Sequence, residues 1–222
     1  MKLLLTSAGV RNPAIRDALT ALLPRPVDQC TALAIPTAMY GHPHATLEYT
    51  WEFAAGRSES PMTDLGWQSV GLLELTALPS LPREQWLPDV RRADVLLASG
   101  GDAVYLAYWM RECGLADLLP SLTDTVWVGM SAGSMVMTPR IGPDFMQWQP
   151  PDGSDRTLGL VNFSLFPHVD HPDMPDNVMV AAQRWAATLD NPSYAIDDET
   201  AIAVDGDRVE VASAGHWQYF PG

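Results

Sequence analysis

Positions 126 to 133 read Val126-Trp127-Val128-Gly129-Met130-Ser131-Ala132-Gly133. The first half of this stretch is apolar and β-branched, which is typical of a buried strand, and the second half is a run of small residues around one serine. A strand that turns sharply into a helix needs small residues two positions before and after the central residue, so that strand and helix can approach each other. The stretch therefore predicts a strand, a tight turn and a helix, the arrangement known as a nucleophile elbow.

A serine in such a turn exposes its hydroxyl above the carboxyl edge of the sheet. The amide of Ala132, at the start of the following helix, can then stabilise a developing oxyanion, because the helix N-terminus carries a partial positive charge. A second glycine feature, Gly100-Gly101, follows another apolar run. Since glycine allows the backbone to approach a ligand closely, the Gly101 amide is a candidate for the other half of an oxyanion hole.

Apolar runs alternate with amphipathic stretches over the first 140 residues, which predicts parallel β-α-β units with helices on both faces of the sheet. The predicted strands are 2–6, 31–36, 70–75, 94–98 and 125–130, and the predicted helices are 13–23, with Asn12 as N-cap, 46–55, and 103–112, opened by Asp102. Residues from 139 to about 176 are rich in Pro, Asp and Trp, which indicates loops over the sheet edge.

A helix is predicted at 177–189, followed by strands at 194–197, 200–204, 208–212 and 216–220 with a hairpin turn at 205–207. The fold class predicted from this order is α/β. We expect a doubly wound domain with a mostly parallel central sheet flanked by helices and a C-terminal antiparallel β addition.

The composition excludes several classes of protein. The chain has 222 residues, of which 47% are apolar and 18% charged, so it is globular and long enough for one sizeable core. We expect a single domain over residues 1–222. Its formal net charge of −14 repels phosphate backbones and anionic lipid headgroups, so neither nucleic acid nor a membrane surface is an expected partner.

The N-terminus and the cysteines indicate a cytoplasmic protein with free thiols. The apolar run after Met1 stops at Thr6, too early for a secretory signal, and no stretch is long enough for a membrane span. Cys30 and Cys113 are far apart in apolar contexts, which favours buried free thiols over a disulfide.

A serine nucleophile needs a base to take its proton, and the chain has five histidines: His42, His44, His168, His171 and His216. In one arrangement His168 is the base and an acid further along the chain orients it. In the other, His216 is the base and Asp197 or Asp198 precedes it, which is the order Ser, Asp, His of α/β-hydrolases. Chain order alone does not decide between them, because the same geometry recurs with different orders.

The local context favours His168 as the base. It follows an apolar pair and Pro167, which indicates a rigid loop leaving a strand end, whereas His216 lies in an alternating stretch typical of a strand surface. The group His168, Asp170, His171 and Asp173 also contains metal-ligating side chains, but its spacing fits no helical ligand face and prolines interrupt it. We expect no metal and no cofactor, and we expect His42-Pro43-His44 to be a solvated loop.

Four features together resemble the peptidase E, or aspartyl dipeptidase, family of serine peptidases, which has a class I glutamine amidotransferase-like fold. They are the first strand Leu3 to Ser7, Gly100-Gly101 with Tyr105-Leu106 behind it, the elbow 129–133, and Phe166-Pro167-His168. The resemblance covers most of the chain. It implies that Ser131 is the nucleophile, His168 the base, and the amides of Gly101 and Ala132 the oxyanion hole.

The third catalytic member of that family is a glutamate on the strand after the late helix. Here the segment 196–201 reads Ile196-Asp197-Asp198-Glu199-Thr200-Ala201, and alignment of the apolar pair that follows places Asp198 on the glutamate. Asp197 and Glu199 are the alternatives after a one-residue slip. Aspartate is one methylene shorter than glutamate, so the loop must approach His168 more closely to hold its tautomer.

Two departures from the family concern the substrate. The usual Gly-Gly-Asn reads Gly100-Gly101-Asp102, which is expected to add an anion near the site, and typical aspartyl dipeptidases continue into a further C-terminal tail. Arg140 and Arg184 are the candidates for binding an acidic side chain. These departures predict weak cleavage of Asp-X dipeptides.

The sequence thus predicts a serine peptidase that cleaves short peptides through an acyl-enzyme, without metal or cofactor. One alternative is an α/β-hydrolase-type esterase that uses His216. Another is a non-catalytic module on the same fold that binds a small ligand at the strand ends.

Overall fold

The computed structural model describes all residues from Met1 to Gly222. The strands are β1 (Lys2–Thr6), β2 (Thr31–Ile35), β3 (Ser69–Leu72), β4 (Val95–Ala98), β5 (Val126–Met130), β6 (Ser164–Phe166), β7 (Ser193–Ile196), β8 (Thr200–Asp205), β9 (Arg208–Ser213) and β10 (Trp217–Phe220). The helices are α1 (Pro13–Leu22), α2 (Leu47–Ala54), α3 (Arg83–Arg92), α4 (Ala103–Glu112), α5 (Ala132–Met135) and α6 (Met179–Ala186). Every element predicted from the sequence is present, with ends that differ by at most three residues.

The two predicted helix caps are formed. The Asn12 side chain accepts a hydrogen bond from the amide of Ile15 at 3.0 Å, and the Asp102 carboxylate accepts one from the amide of Tyr105 at 2.7 Å. Each cap satisfies an amide that has no partner within its helix. The starts of α1 and α4 are therefore fixed by local sequence.

Seven strands form the central sheet in the order β3-β2-β4-β5-β1-β8-β9. The strands from β3 to β1 in that order are parallel, and β8 and β9 are added antiparallel beside β1. In this register Leu3 of β1 lies opposite Trp127 of β5 on one side and Val204 of β8 on the other. The mostly parallel sheet with an antiparallel addition is confirmed.

Helices cover both faces of this sheet. Ile15 and Phe53, on α1 and α2, belong to one apolar cluster, whereas Val90 and Leu106, on α3 and α4, belong to the other, together with Met135 of α5. The chain moves along the sheet in one direction from β1 to β3 and returns from β3 to β5, so right-handed crossovers place the two sets of helices on opposite faces. The neighbours β5 and β1 therefore send their connections to opposite faces, which opens a crevice at their carboxyl ends.

Alternate side chains of the central strands supply the two cores. Leu3 and Leu5 of β1 belong to the larger cluster, which is the one on the side of α3, α4 and α5. Leu4 belongs to the smaller cluster, on the side of α1 and α2. In β5, Trp127 packs in the larger cluster and Val128 in the smaller. Because both faces are covered, these strands appear in the sequence as continuous apolar runs rather than as alternating ones.

A second sheet has three strands in the order β10-β7-β6, with β6 parallel and β10 antiparallel to β7. Helix α6 packs on it through Trp185 and Ala182, which join Phe166 and Ala195 in one cluster. The Trp185 indole N–H also donates to the carbonyl of Ile141 at 2.8 Å. The four C-terminal strands are thus divided, because β8 and β9 extend the central sheet while β7 and β10 build the second.

Two elements were not given bounds from the sequence, although the context of His168 indicated a strand end before it. Helix α3 contains Pro88 in its interior, and its only buried side chains are Trp86 and Val90. A proline normally interrupts a helix, and two buried positions give a weak periodic signal. Strand β6 lies within the segment predicted as loops, and its three residues are too few for any periodicity to show.

None of the helices is both long and apolar enough to cross a membrane. Cys30 and Cys113 are free. Burial is the main cause of a raised pKa for both thiols, so neither is activated as a nucleophile.

Candidate active site

Ser131 joins β5 to α5 in a strained backbone conformation, with φ of 51° and ψ of −111°. A positive φ costs a non-glycine residue about 1–3 kcal/mol, so neighbouring contacts must hold the turn. The Ser131 amide donates to the carbonyl of Thr6 at 3.0 Å, and its carbonyl accepts from the amides of Ser134 and Met135, each at 2.9 Å. The predicted strand, tight turn and helix are therefore present.

The glycines on either side of the turn are required by close backbone approach. A Cβ on Gly129 would lie 2.2 Å from the carbonyl oxygen of Gly133, and a Cβ on Gly133 would lie 2.4 Å from that of Ala98 in β4. Real Cβ atoms do not come this close to other atoms, so no larger residue fits at either position. The spacing that identified this turn in the sequence thus has a direct steric cause.

His168 lies two residues beyond β6 and also has a positive φ, 58°. Its amide donates to Ser7 Oγ at 2.7 Å. On the other side, Asn177 Nδ2 donates to the carbonyls of Pro167 and His168 at 2.9 and 2.8 Å. These bonds fix the loop that leaves the strand and hold the imidazole in one place.

Of the three adjacent acids, the structure brings Asp198 to His168, with 2.7 Å between Oδ1 and Nδ1. The carboxylate of Asp197 instead accepts from the hydroxyl of Thr200 at 2.5 Å and from the amide of His216 at 2.7 Å. Glu199 binds Asn12 through its carboxylate and its carbonyl, both at 2.9 Å. The neighbouring acids therefore have structural partners of their own.

The environment of Asp198 favours its ionised form. Burial by itself would raise the pKa of this carboxyl. Hydrogen bonds from His168 and Ser7 and the charges of His168 and His171 outweigh burial, so the pKa of Asp198 lies below its ordinary value. An ionised carboxylate at this position accepts a hydrogen bond from Nδ1–H of His168, so the free nitrogen of the neutral imidazole is Nε2.

Ser131 and His168 line one cavity of about 560 Å³ at the carboxyl edge of the sheet. No hydrogen bond joins the Ser131 hydroxyl to the imidazole, and such bonds are often long before a substrate binds. The same cavity is lined by Gly101 and Ala132, and the amides of both residues have no acceptor within the chain. The structure thus places a strained serine, an oriented histidine and two unused amides around one space.

Close approach also explains the glycine at position 101, which has a φ of 134°. A Cβ here would lie 2.2 Å from the carbonyl oxygen of Ala38. The amide of the next residue, Asp102, donates to that same carbonyl at 2.8 Å. The loop after β4 is therefore anchored with the Gly101 amide at the cavity.

His216, the alternative base, lies outside this cavity. Its Nδ1 is 3.0 Å from Asp197 and its Nε2 is 2.8 Å from Asp170. The arrangement Ser131, Asp197, His216 is therefore not assembled. His42 shows the opposite outcome, because it lines the cavity instead of lying in the solvated loop expected from the sequence, and burial lowers its pKa.

The residues expected to influence an acidic substrate do not line the cavity. Asp102 is 1% exposed, and besides capping α4 its carboxylate accepts from the amides of Gln147 and Trp148 at 3.1 and 2.8 Å. The carboxylate does not line the cavity itself, but it binds the backbone of Gln147, which does, so the expected anion lies beside the site. Arg140 is paired with Asp155, and neither Arg140 nor Arg184 lines the cavity.

The histidines and aspartates between positions 168 and 173 do not converge on a point. No group of three or more His, Cys, Asp or Glu side chains has an arrangement that could hold a metal ion. His171 instead lies 3.5 Å from Asp198, on the carboxylate oxygen that His168 does not use.

The model of peptidase family S51 matches residues 3–212. The chain belongs to peptidase family S51. It is therefore a serine-type peptidase of the peptidase E type, which confirms the resemblance seen in the sequence and removes the esterase alternative. Among curated proteins, none matches this chain significantly.

Two solved structures share the fold of this S51 peptidase. A candidate peptidase E protein from Listeria monocytogenes EGD-e has a TM-score of 0.71 and 19% identity, with 96% of this chain and 98% of that chain covered. A peptidase from an acI-B1 Actinobacterium has a TM-score of 0.62 and 19% identity, with 99% and 93% covered. The likeness extends over essentially the whole of each chain.

Three polar residues of the S51 site were not assigned a role from the sequence. Ser7 and Asn177 bind the backbone of the His168 loop, and His42 lines the cavity. Ser7 alone had a signal, since it ends the first strand of the family-like pattern, at the carboxyl edge of the sheet. The other two lie in segments without periodicity and are brought to the site by long-range packing.

Proposed function

We propose that this S51 peptidase cleaves short peptides with Ser131 as nucleophile, His168 as general base and Asp198 as the acid that orients the histidine. The observation that carries the proposal is the convergence of a strained serine, the His168–Asp198 pair and two unused amides on one cavity. A partly buried aspartate paired with a histidine does not by itself indicate catalysis. Because His168 lines the same cavity as Ser131, the pair faces the space in which a substrate would bind.

In the first step, Ser131 Oγ attacks the peptide carbonyl carbon and His168 Nε2 takes the hydroxyl proton. The carbonyl oxygen becomes an oxyanion that accepts hydrogen bonds from the amides of Gly101 and Ala132. Collapse of the tetrahedral intermediate breaks the C–N bond, and His168 gives its proton to the leaving amine. The product bound to the enzyme is an ester of Ser131.

In the second step, water attacks the ester carbonyl and His168 takes one of its protons. The second intermediate breaks its bond to Ser131 Oγ, which regains a proton from His168 as the carboxylic acid product leaves. Asp198 stays ionised throughout and stabilises the imidazolium that forms in each step. Every group needed for these two steps belongs to the chain or to the peptide, apart from the water that hydrolyses the ester.

The cavity limits the substrate to short peptides. One wall is formed by the segment with Asp144, Phe145 and Gln147, and another by the segment from Met174 to Asn177. A volume of about 560 Å³ between these walls is in the range of sites for small molecules. A segment that belongs to a folded protein would have to pass both walls to reach Ser131.

Labelling with a fluorophosphonate probe tests the nucleophile. We expect stoichiometric labelling of the wild-type protein at Ser131, and no labelling and no hydrolysis of a dipeptide library by Ser131→Ala. Ser154→Ala, in an exposed loop segment, is the matched control and should label normally. Wild-type protein that binds peptides but neither reacts with the probe nor cleaves them would instead support the non-catalytic binding module.

A further inference from the structure

Ser7 occupies the centre of the candidate site without being one of its three members. It follows β1, and β1 lies between β5, which leads to Ser131, and β8, which starts just after Asp198. The side chain is fully buried. The carboxyl end of β1 is thus the one point in the sheet that adjoins both the elbow and the acid.

The Ser7 hydroxyl contacts the backbone and the ring of His168, and it also contacts the carboxylate of Asp198. Ser7 Oγ accepts from the amide of His168 at 2.7 Å, lies 2.9 Å from Asp198 Oδ1, and lies 3.3 Å from His168 Nδ1. Asp198 Oδ1 is also the atom that contacts His168 Nδ1 at 2.7 Å. Three polar groups therefore meet within one triangle.

The direction of each hydrogen bond in this triangle is fixed by chemistry. A backbone N–H can only donate, so Ser7 Oγ is the acceptor from His168. The single hydroxyl proton then has an ionised carboxylate and an imidazole nitrogen as its neighbours. Since Nδ1 must carry a proton for His168 Nε2 to act as a base, that nitrogen cannot accept, and the hydroxyl donates to Asp198.

We propose that Ser7 is a positioning residue that holds the His168 backbone and the Asp198 carboxylate in a single arrangement, and thereby sets the tautomer of His168 and the carboxylate charge that its imidazole faces. The inference rests on the proposed roles of His168 and Asp198. It assigns to one buried hydroxyl two tasks, support of a strained positive-φ residue and delivery of a second hydrogen bond to the carboxylate oxygen that His168 uses.

The other groups that face Asp198 act on its second oxygen. Arg11, which also lies near Glu199, is 3.7 Å from Oδ2, and His171 is 3.5 Å from it. Both of these contacts are longer and more exposed than the contact with Ser7. Neither contact is to Oδ1, so neither replaces the contribution of the Ser7 hydroxyl to that oxygen.

Substitution Ser7→Ala tests the assignment. Loss of the hydroxyl leaves the carboxylate with one donor fewer, so more of its charge acts on the imidazolium and the protonated, inactive form of His168 persists to higher pH. We expect kcat to fall at least tenfold with KM changed less than threefold. We also expect the acidic limb of the pH profile of kcat/KM to move upward by about half a pH unit or more.

Ser164→Ala is the matched control. Ser164 is equally buried, accepts from Asn191 Nδ2 at 3.1 Å and donates to the carbonyl of Arg140 at 2.6 Å, but contacts neither His168 nor Asp198. It should lower Tm about as much as Ser7→Ala while leaving the acidic limb in place. Ser7→Cys keeps a weak donor of similar shape. The acidic limb of its pH profile should lie between those of wild type and Ser7→Ala.

The outcomes separate the two proposals. If Ser131→Ala remains active, the proposed function fails, whatever Ser7 does. If Ser131→Ala is inactive while both Ser7 variants keep the wild-type acidic limb, as Ser164→Ala does, Ser7 is only a structural residue and this inference is wrong. Should Ser7→Ala not fold, the position of the limb in Ser7→Cys decides by the same criterion.

Discussion

Two neighbouring aspartates of this chain each hold a histidine, and only one pair faces a cavity. Asp198 contacts His168 at 2.7 Å, and Asp197 contacts His216 at 3.0 Å. The His168 side chain is 18% exposed at the carboxyl edge of the sheet, whereas the His216 side chain is 53% exposed beside the second sheet. The contact distances alone do not distinguish the pairs.

The difference between the two pairs lies in what surrounds the histidine. His168 opens on the same cavity as the strained Ser131 and two unused amides, while the two ring nitrogens of His216 are occupied by Asp197 and Asp170. A base needs one free nitrogen that faces the group it deprotonates. His168 shares a cavity with Ser131, whereas both nitrogens of His216 are occupied. The fold creates this difference, because only β6 delivers its histidine to the edge where β5 ends.

The largest expected effect comes from exchanging the two histidines for alanine, one at a time. His168→Ala removes the proposed base, so kcat/KM for a cleaved dipeptide should fall by a factor on the order of 10³–10⁴ or more. His216→Ala loses only an exposed contact, so kcat/KM should stay within about twofold. The reverse pattern in steady-state kinetics would overturn the assignment of the base.

The two acids provide the next comparison. Asp198→Asn keeps the size of the side chain but allows its amide to favour the wrong tautomer of His168, so kcat should fall by a factor on the order of 10²–10⁴. Asp197→Asn disturbs contacts with Thr200 and His216, and its effect should appear in Tm rather than in kcat. Thermal unfolding and single-turnover kinetics on both variants measure the two effects separately. Equal loss of kcat in both would mean that the acids act as one unit.

Local sequence was sufficient for the elbow and for most of the sheet. The turn at Ser131 was predictable because steric demands at Gly129 and Gly133 leave a fixed spacing in the sequence. The strands β4 and β5 were predictable because burial on both faces leaves unbroken apolar runs. In each case the steric or burial constraint acts on the same few residues that show the pattern in the sequence.

Contacts between distant segments were beyond reach of the sequence. The sequence indicated that the charge of Asp102 lies near the site, but it did not reveal the partners of the carboxylate, the amides of Gln147 and Trp148, which are more than forty residues away. Asp198 was chosen over Asp197 by alignment with a family pattern. Two adjacent aspartates on one loop differ only in the direction in which their side chains point, and the sequence does not reveal that direction. Nothing in the sequence orients Ser7 toward Asp198, because that contact joins positions 191 residues apart.

A comparison of substrates tests how the charge of the site affects specificity. No arginine or lysine lines the cavity of Ser131, whereas the carboxylates of Asp144 and Asp176 do. An acidic side chain would lose hydration there without gaining a cation, so Asp-Leu should be cleaved with a lower kcat/KM than Ala-Leu or Leu-Leu. An Asp preference of a hundredfold, about 2.7 kcal/mol of differential transition-state binding, would contradict this expectation.

Arg57 identifies the source of any Asp preference that is found. It is the one arginine or lysine that lines the neighbouring cavity of about 650 Å³, which shares His42, Gly100 and Gly101 with the first. If Asp-Leu proves to be preferred and Arg57→Ala removes the preference, the side chain of the first residue occupies the neighbouring cavity. If the preference persists, Arg57 is not its source.

The smallest expected effect concerns stability at acidic pH. The pKa of Asp198 is lowered in the folded protein, so its ionised form stabilises the fold fully above the pKa of the unfolded chain, about 3.9. This stabilisation is lost as pH falls through the folded-state pKa.

At pH 7, Asp198→Asn should lower the free energy of unfolding by about 1–3 kcal/mol, or Tm by a few degrees, because charge-assisted hydrogen bonds from His168 and Ser7 are removed. The difference in Tm from wild type should narrow below about pH 4, whereas the exposed turn variant Asp207→Asn should follow the wild-type curve throughout. A Tm difference for Asp198→Asn that stays constant from pH 7 to pH 2.5 would show that the carboxylate contributes by packing and not by its charge.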